Sequence, residues 1–257
     1  MQVPTEVHPA TATDEVVLAG VERAFAGKPV LRGVDLRAPR HGRVGIVGRS
    51  GSGKSTLLSL VAGLDAPDAG SISVGGAGDA AARLARCALM PQRDCLLPWR
   101  SALDNATLAL ENRGLPRAAA RTEAAALFAR VGLAGAEAKR PSQLSGGMRQ
   151  RVAFVRTLLA GKEVLLLDEP FGALDAITRA ELQEWLRGAL ADAPRTVLLV
   201  THDVEEALLL CDTVVVLADG RVAASVEVDV PRDGSRREVV TDPRFVELRE
   251  SLLEAIE

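Results

Sequence analysis

The stretch of sequence that decides the fold is Gly48-Arg49-Ser50-Gly51-Ser52-Gly53-Lys54-Ser55-Thr56. A short apolar segment, residues 43–47, precedes it, and an apolar segment with helical spacing follows over residues 54–62. This is the G-x-x-x-x-G-K-[ST] spacing in its strand–loop–helix context, which is specific for a loop that binds phosphate. The glycines let several backbone N–H groups point into one concavity, and the helix N-terminus adds partial positive charge. The stretch therefore predicts a nucleoside triphosphate site, with Lys54 on the β- and γ-phosphates and Ser55 on Mg²⁺.

Length and composition indicate a globular protein that could form one large domain or two small ones. The chain has 257 residues, of which 47% are hydrophobic and 25% are charged. Its net charge of −3 gives no electrostatic reason to expect nucleic acid as the main partner. No apolar run approaches the roughly 18 residues that a membrane-spanning helix needs. Residues 1–14 contain two prolines and no apolar core, so we expect a loose tail rather than a signal peptide.

Acidic and histidine side chains follow two apolar runs that are typical of buried parallel strands. Asp168 and Glu169 come directly after residues 164–167, and His202 comes shortly after residues 196–200. Open α/β sheets bind their ligands at the carboxyl ends of such strands. We expect Asp168 to hold Mg²⁺, directly or through water, and Glu169 to polarise an attacking water. His202 is predicted to contact a phosphate at the same edge.

The periodicity becomes helical between about residues 101 and 160. Apolar residues recur there at helical spacing, which predicts an all-helical block inserted between two halves that contain strands. Ser145-Gly146-Gly147 begins the last helix of this block, with Ser145 as its N-cap. This helix start is therefore a second place that is ready for an anion.

Three apolar features allow more than one interpretation. Phe25 ends the first predicted strand, residues 15–24, and could stack on a purine or serve in ordinary packing. The cluster Leu96-Leu97-Pro98-Trp99 could be a loop that covers the core or a surface that a partner contacts, since aromatic residues often anchor interfaces. The segment from Asp242 onward predicts a short helix that is used for packing or as a minor partner face.

Taken in order, the motifs resemble those of the ATP-binding subunits of ABC transporters. They are GRSGSGKST (48–56), Gln92, LSGGMRQ (144–150), LLLDEP (165–170), GALD (172–175) and THD (201–203). LSGGMRQ is the most specific of them, because phosphate loops are shared by many families and this signature is not. The resemblance runs from about Glu15 to Val228, which is most of the chain. It implies an α/β fold: a P-loop NTPase core with a mostly parallel sheet, a small antiparallel β subdomain and an inserted helical subdomain.

Domain boundaries follow from the motifs and this resemblance together. We expect a flexible tail over residues 1–14 and an ABC ATPase domain over residues 15–230. The helical subdomain is predicted as an insert at about residues 93–157. Residues 231–257 are predicted to form a C-terminal tail with a short helix.

The resemblance implies a role for each motif residue. Residues 48–56 would bind the ATP phosphates, and Phe25 would stack on adenine, at a position where the family usually has tyrosine. Glu169 would be the general base, and His202 would be the switch histidine on the γ-phosphate. The predicted catalytic residues are thus Lys54, Gln92, Glu169 and His202. The predicted Mg²⁺ ligands are Ser55, Gln92 and Asp168.

The resemblance also implies that each ATP site needs two copies of the chain. Ser145, Gly146 and Gly147 would face the ATP held by the other copy's phosphate loop, and Asp175 would reach across the same interface. Two copies would close head-to-tail around two ATP molecules and separate after hydrolysis. The other expected partners are integral membrane permease subunits and, indirectly, an extracytoplasmic solute-binding protein. The ATPase is then expected on the cytoplasmic face of the membrane.

Within the family, the cluster at residues 96–99 is similar to that of importers for nitrate, sulfonates and taurine. Residues 90–94 and 160–162 look like those of subunits for thiamine pyrimidine precursors. The sequence therefore predicts the ATPase of an importer for a small solute of one of these classes. The alternative is a soluble ABC ATPase that acts in translation or DNA repair, but the chain has one ATPase unit and no heptad run. LSGGMRQ and the helical block also argue against a P-loop kinase or GTPase.

Overall fold

The computed structural model describes residues 14–231, 234 and 236–256. The predicted N-terminal tail lies outside the described residues, apart from Asp14, which begins the first strand. Within these residues, no helix is both long enough and apolar enough to cross a membrane.

Strands and helices are mixed along the described part of the chain. In chain order the strands are β1 (Asp14–Phe25), β2 (Lys28–Pro39), β3 (Arg43–Val47), β4 (Ala69–Val74), β5 (Cys87–Met90), β6 (Val164–Asp168), β7 (Thr196–Val200), β8 (Thr213–Ala218) and β9 (Arg221–Glu227). The helices are α1 (Lys54–Val61), α2 (Ala80–Arg86), α3 (Ala102–Ala106), α4 (Leu108–Asn112), α5 (Arg117–Arg130), α6 (Gly146–Leu159), α7 (Ala176–Asp192), α8 (Val204–Leu210), α9 (Arg236–Thr241) and α10 (Pro243–Ile256).

A small antiparallel sheet is formed by β2, β1 and β4, in that order. β1 pairs with β2 from Asp14 opposite Pro39 to Phe25 opposite Lys28. Apolar residues of β1 and β2 are buried and form one core with helix α1 and residues of the larger sheet. The predicted small antiparallel sheet is confirmed.

The larger sheet has the strand order β5-β6-β7-β3-β8-β9. All of its neighbouring strands run parallel except β9, which pairs antiparallel with β8. Every residue of β6 and of β7 is buried, as expected for strands covered on both faces. The phosphate loop follows β3, and the other two predicted motifs follow β6 and β7. Because these strands are neighbours, their carboxyl ends bring the motifs to one edge of the sheet.

Helices α3 to α6 lie between β5 and β6 in the chain, where the helical block was predicted. Helix α6 packs against α3, α4 and α5, and its apolar side includes the buried residues Val152, Phe154 and Val155.

Helix α2 was not predicted, because its sequence is rich in alanine and has little apolar periodicity. The helical block begins with two short helices, α3 and α4, which meet at Thr107. The division of the chain into domains stays a prediction.

The C-terminal helix α10 lies where a short helix was predicted from Asp242 onward. Phe245, Leu248 and Leu252 are buried, and the helix lies against α8, β8 and β9. Of the two interpretations offered for this segment, packing against the rest of the protein is the one that the structure shows.

Glu206 on α8 is a buried carboxyl whose charge is poorly compensated. Its side chain is 3% exposed, and its Oε2 accepts from Gln183 Nε2 at 3.2 Å, while its Oε1 has no hydrogen-bond partner among the described residues. Its pKa is raised to about 7, mainly by burial and also by the Asp203 carboxylate, while Thr201, Arg179 and Gln183 act in the opposite direction. The folded protein therefore binds a proton at Glu206 more tightly than the unfolded chain does.

This raised pKa predicts a specific pH dependence of stability. An acid whose pKa is raised on folding loses stability as the pH rises from its unfolded value, 4.5, to its folded value, about 7. Between pH 5 and pH 8 we expect Glu206 to cost the wild type up to about 3 kcal/mol of unfolding free energy. Denaturant unfolding of Glu206→Gln should lack this loss. The control is Glu205→Gln, whose half-exposed carboxylate pairs with Arg249 at 3.0 Å; an identical pH slope in wild type and Glu206→Gln would contradict the prediction.

Candidate functional site

The phosphate loop joins β3 to α1 and depends on glycine at two positions. Gly48 has φ 153°, and a Cβ there would lie 2.2 Å from the Leu217 carbonyl oxygen. Gly53 has φ 103°, and a Cβ there would lie 2.7 Å from Leu31 Cδ2. No larger residue fits at either position, so the loop geometry follows from the glycines that the motif requires.

Lys54 begins α1 and directs its ammonium group into this loop. Its Nζ donates to the carbonyl oxygens of Gly48 at 2.7 Å and Arg49 at 2.8 Å. Burial lowers the pKa of the ammonium, while the charges of Glu169 and Asp168 raise it. The Lys54 ammonium therefore lies between the phosphate loop and the acidic residues at the carboxyl end of β6. Its predicted contact with the β- and γ-phosphates stays a prediction.

Asp168, the last residue of β6, has the properties of a cation ligand. It is 5% exposed, and its Oδ1 is buried without a hydrogen-bond partner among the described residues. Burial raises its pKa, and the Glu169 charge adds to the effect; the Ser55 hydroxyl, Lys54 and the Gln92 backbone N–H lower it. A buried carboxylate oxygen without a partner is costly, and a hard cation such as Mg²⁺ is its natural complement. Asp168 and the adjacent Ser55 hydroxyl therefore fit the predicted metal site.

Two predicted residues, Gln92 and His202, meet at the carboxylate of Glu169, which was itself predicted to be the base. Gln92 Nε2 donates to Glu169 Oε2 at 3.0 Å, and His202 Nδ1 lies 3.3 Å from Glu169 Oε1. Gln92, Glu169 and His202 follow β5, β6 and β7, which are adjacent parallel strands. His202 is 64% exposed, so it can contact a ligand in front of the sheet edge. The sheet thus assembles one group from three separate motifs.

The signature segment caps helix α6 as predicted. Ser145 Oγ accepts from the Met148 N–H at 3.2 Å, and α6 begins at Gly146. Gly146 lines a cavity of about 400 Å³ that also borders Gln92 and Glu169. Gly147 lies against the turn after β6, where a Cβ would be 3.2 Å from the Ala173 carbonyl oxygen.

Asp175 caps α7 and is exposed. Its Oδ1 accepts from the Thr178 N–H at 3.0 Å, and backbone and side-chain hydrogen bonds from Thr178 lower its pKa. Asp175 therefore lies on the surface at the start of α7, apart from Gln92, Glu169 and His202. The predicted reach across a dimer interface stays a prediction.

Phe25 lies at the end of β1 and is 47% exposed. The Arg23 guanidinium carbon is 4.8 Å from its ring centroid. Arg23 is held in turn by ion pairs with Asp65 and Asp68, at 2.9 Å and 2.8 Å. The ring is thus stacked on a cation at the surface and is not part of the core, so a face remains for the predicted contact with adenine.

The cluster at residues 96–99 has one residue that packs in the core and one that is exposed, and its role as a partner surface stays a prediction. Leu96 is buried in the core, and Trp99 is 69% exposed. The fully buried Asn105 fixes the loop: its side chain accepts from the Leu97 N–H at 2.7 Å and donates to the Leu97 carbonyl at 3.1 Å. An exposed tryptophan on a fixed loop is suited to anchoring a partner.

Two arginines of α6 hold the segment between Gln92 and this cluster, and the motifs predicted no role for either of them, although Arg149 lies within LSGGMRQ. Arg149 Nε pairs with Asp94 Oδ2 at 2.9 Å. Arg156 donates to the carbonyl oxygens of Asp94 at 2.8 Å and Cys95 at 2.9 Å. A third residue without a predicted role is Gln150, the last residue of LSGGMRQ, whose side chain donates to the backbone carbonyl of Glu169. The motif marks Arg149 and Gln150 but does not name their partners, which are distant in the sequence, and Arg156 lies outside the motif.

Comparisons with known proteins agree with this geometry. Residues 31–172 match the protein family described as ABC transporter. The chain is 44% identical to the aliphatic sulfonates import ATP-binding protein SsuB 1 of Rhodococcus jostii, over 96% of this chain and 97% of the relative. It is 48% identical to SsuB 2 of Nocardia farcinica over 92% of each, and 41% identical to the formylaminopyrimidine import ATP-binding protein ThiZ of Halalkalibacterium halodurans over 88% of each.

Solved structures give the same result for the fold. The chain is similar to the ATP-binding cassette MJ0796 in a dimeric, post-hydrolysis state bound to ADP and Pi, with a TM-score of 0.77 and 28% identity. The match covers 83% of this chain and 98% of that structure. The predicted α/β cassette fold is therefore confirmed.

Proposed function

This chain belongs to the ABC transporter family of ATP-binding proteins, which makes it an ATPase, and we propose that it powers the import of aliphatic sulfonates. The observation that carries the proposal is its identity of 44–48% with sulfonate import subunits over nearly the whole of each chain. The formylaminopyrimidine relative supports a second candidate, a thiamine pyrimidine precursor, at 41% identity. Nitrate and taurine stay candidates from the sequence motifs alone.

The proposed chemistry is in-line attack of water on the γ-phosphate of ATP. Gln92 and His202 orient the Glu169 carboxylate, which accepts a hydrogen bond from the attacking water and polarises it. Lys54 and the loop N–H groups neutralise charge that develops on the phosphoryl oxygens. Mg²⁺ held by Asp168 and Ser55, with Gln92 nearby, would supply further charge neutralisation. Catalysis then rests mainly on positioning and electrostatics.

We propose that two copies of the chain form the working ATPase. Ser145 and the first N–H groups of α6 form a helix start that suits an anion, and by family resemblance that anion is the ATP bound by the other copy. The similar solved cassette is described as dimeric. Binding of ATP would close the dimer, and hydrolysis would open it.

The exposed Trp99 is the proposed contact with a membrane permease, which would place the chain at the cytoplasmic face of the membrane. Its loop is joined to α6 through Arg149 and Arg156. Ser145 of the signature caps the start of α6, so permease movement and ATP-dependent closure would be transmitted along one rigid helix. An extracytoplasmic solute-binding protein completes the proposed importer.

Arg156→Ala is therefore expected to uncouple the two ends of α6. The change removes both hydrogen bonds to the loop at Asp94 and Cys95. Basal ATP hydrolysis by the isolated chain should stay within about twofold, while stimulation by a reconstituted permease should fall about tenfold. Arg195→Ala is the matched control, because Arg195 is also a partly buried arginine that donates to a backbone carbonyl, that of Leu158, at 3.1 Å. Equal stimulation in Arg156→Ala and the wild type would contradict this route.

The proposed function is tested by identifying the partners and then the solute. A tagged chain is purified from detergent-solubilised membranes, and the copurifying chains are identified. The complex is reconstituted in liposomes, and ATP hydrolysis is measured with the binding protein and each solute: alkanesulfonates, taurine, nitrate and formylaminopyrimidine. Stimulation by alkanesulfonates supports the proposal, and stimulation by another solute reassigns the substrate. Ribosomal or DNA-repair partners in place of a multi-span protein would favour the soluble alternative.

A further inference from the structure

Gln150 makes two hydrogen bonds that span the turn after β6. The residue lies on α6, is 7% exposed, and ends the signature string. Its Nε2 donates to the Glu169 carbonyl oxygen at 2.6 Å, and its Oε1 accepts from the Ala173 N–H at 2.8 Å. The Gln150 side chain thus hydrogen-bonds the backbone at both ends of the segment from Glu169 to Ala173.

The backbone of Glu169 needs such support because its conformation is unfavourable. Its φ is 47°, which lies in the left-handed region that residues with a Cβ rarely adopt. Its N–H donates to the Val200 carbonyl at 2.8 Å, and its carbonyl also accepts from the Gly172 N–H at 3.2 Å. Such a conformation persists only where the surroundings hold it. In an extended conformation the carboxylate would leave the position where Gln92 and His202 meet it.

We propose that Gln150 is a positioning residue for ATP hydrolysis, which acts by holding the Glu169 backbone so that the carboxylate faces Gln92 and His202. The inference rests on the proposed role of Glu169 as the base. This role would also link the signature serine at the start of α6 to the proposed base after β6. Helix α6 presents Ser145 at one end and fixes Glu169 through Gln150, so a shift of this helix on dimer closure moves the base as well.

The chain offers a matched comparison for this role. Gln183 on α7 is 2% exposed, and its amide is also bonded at both ends: Nε2 donates to Glu206 at 3.2 Å, and Oε1 accepts from Arg236 at 2.6 Å. It bonds neither Glu169 nor the turn that follows. Gln183→Leu therefore reports what the loss of a buried, doubly bonded amide does to folding alone.

The first experiment measures kcat, the KM for ATP and the thermal unfolding midpoint of the full chain. Gln150→Leu should lower kcat by about 10- to 100-fold, as small misplacements of catalytic groups do, with KM within about twofold. Gln183→Leu should lower the unfolding midpoint comparably and keep kcat within about twofold. If Gln150→Leu fails to fold, Gln150→Met, which keeps the chain length without the amide, replaces it. Wild-type kcat in a folded Gln150 variant would overturn the proposal.

The second experiment asks whether the effect passes through the Glu169 carboxylate. Single-turnover hydrolysis of γ-labelled ATP is compared for Glu169→Gln and for the double variant with Gln150→Leu. A positioning residue should cause little further loss once the carboxylate is gone. The same proportional loss in both backgrounds would show that Gln150 acts independently of the base. Wild-type hydrolysis by Glu169→Gln alone would instead remove Glu169 from its proposed role, which separates the two failures.

Discussion

Replacing Glu169 with Gln is expected to lower ATP turnover by about 10²- to 10⁴-fold and to leave ATP bound, because the change removes a general base and keeps its volume. The carboxylate is the point where Gln92 Nε2 and His202 Nδ1 converge, at 3.0 Å and 3.3 Å. An amide at this position can still meet both neighbours, so the loop that binds phosphate is undisturbed. It also removes one negative charge beside Asp168, which lowers the repulsion that raises the pKa of that acid. Nucleotide affinity should therefore hold or rise.

The measurement is steady-state phosphate release together with the amount of ATP that stays bound after gel filtration. Glu163→Gln is the control, since Glu163 directly precedes β6, pairs with Arg86 at 2.7 Å and is 55% exposed at the opposite end of the same strand. Glu163→Gln should hydrolyse ATP at nearly the wild-type rate. The side chain lies at the other end of the strand from Glu169, and the loss of an exposed ion pair should change the stability of the fold little. Unchanged turnover in Glu169→Gln would mean that another group polarises the water.

The residues at the strand ends could be predicted from the sequence because sheet topology brings them together. Unbroken apolar runs indicate buried parallel strands, and the residues after such strands share one edge. Neighbouring strands β5, β6 and β7 then place Gln92, Glu169 and His202 in contact. The local sequence pattern could not predict that β5 and β6 are neighbours in the sheet, since 73 residues separate Met90 from Val164.

Gln150 and Arg156 could not be predicted in the same way. A polar residue on an amphipathic helix has no local feature that names its partner, and both residues bond backbone groups of distant loops. The left-handed backbone of Glu169 is likewise set by its surroundings, because glutamate has no preference for that region. The motifs thus predict which residues bind the nucleotide, and the contacts that hold those residues in place are visible only in the structure.

Replacing Lys54 with Ala is the second change with a large expected effect, and it acts on binding. Lys54 is 7% exposed and directs its ammonium at the loop carbonyls of Gly48 and Arg49. A buried cation opposite the β- and γ-phosphates should contribute more than an exposed ion pair, because the surroundings screen it less. We expect the Kd for ATP to rise by about 100-fold, which corresponds to about 2.7 kcal/mol. Titration with a fluorescent ATP analogue at fixed ionic strength measures the change.

Loss of a phosphate contact must be separated from collapse of the loop, and a nucleotide series does this. If Lys54 binds the β- and γ-phosphates, its removal should weaken ATP most, ADP less and AMP least. A collapsed loop would weaken all three by a similar factor. Lys162→Ala is the matched control, because Lys162 Nζ also donates to a backbone carbonyl, that of Ala85, at 2.7 Å but is remote from the phosphate loop. Unchanged ATP affinity in Lys54→Ala would refute the assignment of this loop, since Lys54 is the only lysine within residues 48–56.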